Sequence, residues 1–332
     1  MGGLPAELLS LLPEPIAAAL LGWSDAGGEP PQEIRMGARR PLLVVTPSGG
    51  VILDAAGRPV APEAAYEVSQ RDLVHVLQAA TGGSVYAAED EIRSGYITVR
   101  GGHRIGLAGT AVTDGGRIET LKHISSLSIR ICRDVPGACR EVLPLILQDG
   151  RPLSTLILSP PGAGKTTLLR DLARNLSYGV PDLGVRPYVV GIVDERSELA
   201  GTYRGIPQLD VGPRTDVLDA CPKGVGIMMF IRAMSPEVIV TDEVGRPEDV
   251  GALREAVNCG VTVIASCHGR SVEEVRRRPM MRVLLSEGIF ARLVCLSRRR
   301  GPGTLEAVMD ATGRQLTPAW RDGSWSSSSW RA

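Results

Sequence analysis

The sequence predicts a two-part protein: a parallel α/β sheet with helices on both faces, preceded by a smaller α+β domain. Three observations predict it. Short continuous apolar runs at Leu153–Leu158, Tyr188–Val193, Val238–Thr241 and Val261–Ala265 alternate with helix or loop, the pattern of strands buried on both faces. The first run leads through a Gly-rich turn into an amphipathic helix, and the third ends in two carboxylates. The first 140 residues instead mix helices with antiparallel hairpins, which belong to a different architecture.

The 332 residues suit two domains at roughly 150 residues each. With 43% apolar and 22% charged residues, disordered, collagen-like and disulfide-stapled chains are excluded. The 37 basic and 37 acidic residues cancel, and aromatics make up only 4%. Both features argue against direct nucleic-acid binding, which needs a basic surface or stacking platforms. Six cysteines without a C-x-x-C pair suggest free thiols in a reducing cytosol. No apolar run reaches the roughly 18 residues of a membrane span, and the N-terminus lacks the basic start of a signal peptide. Only three lysines, Lys122, Lys165 and Lys223, stand against 34 arginines.

Residues 1–30 read as one or two short helices. Pro41–Val45 and Val51–Asp54 read as strands around a Pro47–Gly50 turn. Ser69–Ala80 reads as a helix, with Ser69 and Asp72 in capping positions and Leu73, Val76, Leu77 and Ala80 on one face. Strands follow at Tyr96–Arg100, His103–Val112, Arg117–Leu121 and Leu127–Ile131. Glu141–Leu147 is expected to be a short helix. The domains divide as 1–145 and 146–316, with a Ser- and Trp-containing tail, 317–332, expected to be disordered.

The turn after the first buried strand is Ser159-Pro160-Pro161-Gly162-Ala163-Gly164-Lys165-Thr166-Thr167, and the helix is Thr166–Leu176. This is the Walker A pattern with Ser159 at the first Gly position, and it identifies the fold as a RecA/AAA+-like P-loop NTPase. Small residues let backbone N–H groups turn inward around phosphate, and the helix N-terminus adds its positive dipole end. Lys165 is expected on the β- and γ-phosphates of ATP and the Thr166 hydroxyl on Mg²⁺. Val238–Glu243 has the Walker B form, Asp242 for the metal and Glu243 as the base that deprotonates water. Val189–Arg196 is another apolar strand with acidic residues at its end, where Asp194 and Glu195 could help to position metal or water, or else form a surface ion pair with Arg196. Val261–Gly269 ends in Ser266, Cys267 and His268, and His268 is a candidate γ-phosphate sensor.

Walker A, an acidic box, Walker B and a His box in this order resemble the secretion ATPases of type II, type IV and pilus systems. Glu89–Thr98, Gly101–Gly109, Leu121–Ile131, Asp194–Gly201, Asp210–Asp219 and Met234–Ile239 further resemble the stage III sporulation protein AA family over about residues 33–310. The resemblance implies an ATP-hydrolysing motor, homohexameric and without a transmembrane segment of its own. It would energise a channel formed with membrane-embedded stage III sporulation proteins, from the cytoplasmic, mother-cell side of the membrane facing the forespore. It also implies an arginine acting on a neighbour's nucleotide, for which Arg130 is the first candidate, with Arg204 and Arg232 as runners-up. Arg71 and His75 match the R-x-x-x-H spacing of plastid relatives with an RNA-binding domain, but lie inside a helix. Two other readings stand beside the motor: a nucleotide-switched scaffold with little turnover, and a P-loop protein acting on nucleic acid.

Overall fold

A computed structural model describes residues 4–84 and 88–316; the tail with Trp320, Trp325 and Trp330 lies outside the described residues. The described residues form two compact units, those up to 133 with 201–209, and 134–200 with those from 210 onward. The change falls at Arg133/Asp134, earlier than residue 145, because Cys139, Val142, Leu143 and Ile146 pack into the core of the second unit. The expected helix over Glu141–Leu147 is only a 3₁₀ turn at Leu143–Ile146. Pro144, with no N–H to donate, restricts helix growth there.

The first unit carries a six-stranded antiparallel sheet: β1 (Glu33–Gly37), β2 (Leu43–Thr46), β3 (Gly49–Ile52), β4 (Tyr96–Val99), β5 (His103–Asp114) and β6 (Arg117–Arg130), in the order β3-β2-β1-β6-β5-β4. Ile34, Val44, Ile97, Ile105 and Ile129 share a core with Ile16 and Leu20 of helix α1 (Glu14–Asp25) and Leu73 and Val76 of α2 (Gln70–Ala80). Ser69 caps α2 in a complete capping box with Asp72. The runs Arg117–Leu121 and Leu127–Ile131 prove to be parts of one long strand. It pairs with β5 through two register shifts, and His123 takes a φ of 46°.

The second unit is a seven-stranded sheet of the P-loop type: β7 (Thr155–Ser159), β8 (Val190–Asp194), β9 (Thr215–Asp219), β10 (Val238–Thr241), β11 (Thr262–His268), β12 (Arg292–Ser297) and β13 (Thr304–Asp310). The order is β9-β8-β10-β11-β7-β12-β13, all parallel except the β12–β13 hairpin. Alternation along the strands serves two cores. Ile157, Ile192, Val240 and Ile264 face Leu168, Leu169, Leu172 and Leu176 of α3 (Lys165–Tyr178). Leu158, Val193, Ile239 and Val263 face Ile227 and Phe230 of α4 (Lys223–Ala233), Leu253 of α5 (Pro247–Asn258) and Leu284 of α6 (Pro279–Ser286). Helices therefore cover both faces, as expected. Gly226 is required for this packing, since a Cβ there would lie 2.6 Å from a Val193 methyl.

Candidate functional site

β7, β10 and β11 end together at the carboxyl edge of the parallel sheet, where open α/β sheets bind ligands. After β7 the chain turns through Gly162 (φ 68°) and Gly164 (φ 87°) before α3 begins at Lys165. These left-handed conformations favour glycine, and they set the amides of the turn at the start of the helix. Ser159 is fully buried. Its carbonyl accepts the Gly269 N–H at 3.1 Å, tying the start of the loop to the end of β11.

The side chains of Lys165, His268 and Glu243 form one chain. Lys165 Nζ lies 3.3 Å from Ser159 O, 3.3 Å from Ser159 Oγ and 3.5 Å from Pro160 O. It also lies 3.0 Å from His268 Nδ1. His268 Nε2 is 2.8 Å from Glu243 Oε1. An ammonium group can only donate, so Nδ1 is the acceptor. The imidazole is then neutral, with its proton on Nε2, where it donates to the carboxylate. Burial lowers the Lys165 pKa, opposed by the negative charge of Glu243.

Glu243 is held on every side. Its φ of 43° is uncommon for a residue with a side chain. Its N–H donates to Ser266 Oγ at 3.1 Å, and the Val244 N–H donates to Ser266 O at 2.8 Å. Its second carboxylate oxygen meets Arg196 at 3.0 Å. Arg196 and Ser266 thus aim this carboxylate. The sequence suggested Arg196 only as an ion-pair partner for Asp194 and Glu195, and a polar residue ending the strand beside Walker B is the signal that finds Ser266.

The acidic residues of the site differ sharply from one another. Asp194 is fully buried and accepts the N–H groups of Glu198 at 2.9 Å, Leu199 at 2.8 Å and Ala200 at 2.9 Å. That is the geometry of a loop anchor, and burial pushes its pKa up. Glu195 binds Lys223 and, at 3.0 Å, Arg246. Burial works to raise the Glu195 pKa, but Lys223, Arg246 and Arg196 outweigh it and hold it low. Asp242 is 2% exposed, and its Oδ1 has no hydrogen-bond partner among the described residues; Lys223 Nζ stands 3.9 Å away. Burial, reinforced by the charge of Asp194, raises its pKa to about 7. An orphaned buried carboxylate oxygen suits a divalent cation. Asp242 accordingly has an oxygen to offer Mg²⁺, while Asp194 and Glu195 are committed to protein partners. Lys223, legible in the sequence only by the rarity of lysine, is 5% exposed and balances Glu195 and Asp242.

Thr167 follows Thr166 in the first turn of α3. Arg130 belongs to the first unit, exposed at the end of β6, and lines a cleft of about 610 Å³ with Arg35, Arg40 and Arg104. Arg204 also belongs to the first unit, near Tyr203, and Arg232 is exposed on α4. No described helix is long and apolar enough to cross a membrane.

A family profile described as "Sporulation stage III, protein AA" matches residues 8–316. Stage III sporulation protein AA of Bacillus subtilis (strain 168) is 43% identical over 311 residues, 94% of this chain and 97% of that protein. Among solved structures, the ATPase DotB of Yersinia pseudotuberculosis superposes with a TM-score of 0.55 at 12% identity, over 85% of this chain and 76% of DotB. The pilus retraction motor PilT, solved with bound ADP, gives 0.52 at 14%, over 82% and 76%. At such identities the likeness to ATPases is one of fold.

Proposed function

The chain belongs to the Sporulation stage III, protein AA family, and on that premise we propose that it is an ATP-hydrolysing motor of the secretion-ATPase kind, energising a sporulation channel. The observation that carries this reading is the Lys165–His268–Glu243 chain at the mouth of the P-loop. It puts a phosphate-binding cation and a carboxylate base within reach of one imidazole.

In this reading the amides of residues 162–166 and the Lys165 ammonium hold the β- and γ-phosphates. Phosphate oxygens then compete with Ser159 O, Pro160 O and His268 Nδ1 for the ammonium protons. Freed from Lys165, the His268 ring can turn an N–H toward the γ-phosphate. Glu243 takes the proton from the attacking water. Mg²⁺, held by Thr166 and Asp242, would neutralise charge across the phosphates. Asp194 and Glu195 order the loop that carries Arg196, which keeps Glu243 aimed.

The family and the fold support assembly into a homohexamer working with membrane-embedded stage III proteins, at the cytoplasmic face of the mother-cell membrane opposite the forespore. The test couples two measurements. Purified protein should release phosphate from ATP, and its native mass should shift to a ring with ATP more than with ADP. Binding of ATP without phosphate release at any protein concentration would favour a nucleotide-switched scaffold instead.

A further inference from the structure

The P-loop strand lies between two parallel neighbours, and each delivers a basic side chain to the same end of the sheet. On one side β11 sets His268 opposite Ser159. On the other, β12 pairs Cys295 with Leu158 and runs on to Arg298. The basic run Arg298-Arg299-Arg300 opens the β12–β13 loop.

That loop is built against the P-loop. The Gly303 N–H donates to Ala163 O at 3.0 Å. A methyl group on Gly164 would come within 3.1 Å of the Gly303 nitrogen. The loop also holds itself together: Gly301 N–H to Arg298 O at 3.1 Å, Thr304 Oγ1 to Gly301 O at 2.7 Å, and Arg300 N–H to Thr304 Oγ1 at 3.2 Å. Arg299 turns to Glu306, at 3.2 and 3.4 Å. Arg298 lies instead at Gly162, where a methyl group would be 3.5 Å from its Nη1. It is exposed and makes no ion pair with another described residue.

We propose that Arg298 is a phosphate-contacting residue supplied by the same chain, a second cation beside Lys165 for the nucleotide held by the P-loop. This rests on the nucleotide reading above. A guanidinium presents a planar fork of donors matched to phosphate oxygens, and it stays charged throughout. A pinned loop spares the ordering cost that makes an ordinary surface arginine a weak partner. The β12–β13 hairpin then has a task besides closing the sheet, since it fixes the distance between the guanidinium and the P-loop.

The experiment measures equilibrium binding of ATP, inorganic tripolyphosphate and adenosine to the full chain, to Arg298→Ala, Arg298→Lys and Lys165→Ala. Arg298→Ala should bind ATP and tripolyphosphate alike about 10- to 100-fold more weakly, the range for a hydrogen-bonded charge, at an unchanged melting temperature. Arg298→Lys should recover part of the loss. If Arg298→Ala binds both as wild type does while Lys165→Ala loses both, the inference fails and the nucleotide reading survives. Weaker binding of ATP and adenosine with tripolyphosphate unaffected would place Arg298 at the nucleoside and overturn the phosphate assignment. A wild-type chain that binds neither ATP nor tripolyphosphate would remove both.

Discussion

Lys165 and Glu243 share one imidazole: His268 accepts from the ammonium through Nδ1 at 3.0 Å and donates to the carboxylate through Nε2 at 2.8 Å. The two groups proposed to bind phosphate and to activate water are therefore joined through one ring.

Lys165→Ala should weaken ATP binding by at least about tenfold, because the loop loses its phosphate cation. Glu243→Gln should leave ATP binding intact and lower phosphate release by roughly 10²–10⁴-fold, because a carboxamide takes no proton. Dialysis and a phosphate-release assay read the two separately, and undiminished release from Glu243→Gln would remove Glu243 as the base.

His268→Ala should lower turnover by about 10- to 100-fold, the range for a hydrogen bond to a charged group, and change ATP affinity less. A variant with normal turnover and a lower melting temperature would mark the imidazole as structural.

Asp194→Ala should destabilise the metal-free protein by about 3 kcal/mol or more, since three backbone N–H groups lose their acceptor at roughly 1–3 kcal/mol each. Thermal melts in a chelator decide the matter. A melting temperature equal to wild type, with the defect seen only as a greater need for Mg²⁺, would make Asp194 a metal ligand after all.

Asp242 makes stability depend on pH. Its carboxyl, raised from 3.8 to about 7 by burial and then by Asp194, keeps a proton in the folded state that the unfolded chain gives up. The stability this contributes is full below pH 4 and is lost as pH rises through 7. Glu198 and Glu243 push the same way, and Lys223 opposes them. Asp242→Asn should therefore gain on wild type between pH 4 and 8, by up to about 4 kcal/mol in a chelator, and added Mg²⁺ should favour the wild type. A difference that does not change with pH would contradict this.

Arg130→Ala should depress turnover by about 10³-fold if this arginine completes a neighbour's site, with ATP binding and melting temperature unchanged. Mixing it with Lys165→Ala should restore part of the activity, one subunit giving the arginine and the other the P-loop. No recovery, with turnover per subunit constant down to the monomer, would rule out a shared site.

The sequence is most legible where chemistry and periodicity coincide. The strand leading into Ser159, the helix carrying Leu168, Leu169, Leu172 and Leu176, and the strand before Asp242 are each buried from end to end or along one face, so composition alone marks them. The edge strand β9, Thr215–Asp219, carries two aspartates and no run of buried residues, so no apolar run marks it. The β12–β13 hairpin lies beyond the motifs and follows no repeat of them. The long β6 reads as two strands because four of the five residues Lys122–Ser126 are polar, and a lone Ile124 packed on the core is too little to carry the alternation across them. Identity of residue type was also insufficient at the acidic box: Asp194 and Asp242 end neighbouring strands, and only the amides of Glu198, Leu199 and Ala200 tell the loop anchor from the orphaned carboxylate.

The loop anchored by Asp194 ends at Ala200, and the next residues, Gly201–Leu209, belong to the first unit before the chain returns at Asp210. The main chain thus passes between the units at Arg133/Asp134, Ala200/Gly201 and Leu209/Asp210. A protease cut at Arg133 would free the residues before it from the rest of the chain yet leave nine residues of their own unit, 201–209, on the other piece, so a P-loop fragment beginning at residue 134 would carry along nine residues that fold with its lost companion. The same threading leaves a single peptide bond, Ala200–Gly201, between the stretch that carries Arg196 to Glu243 and a segment that folds with the other unit.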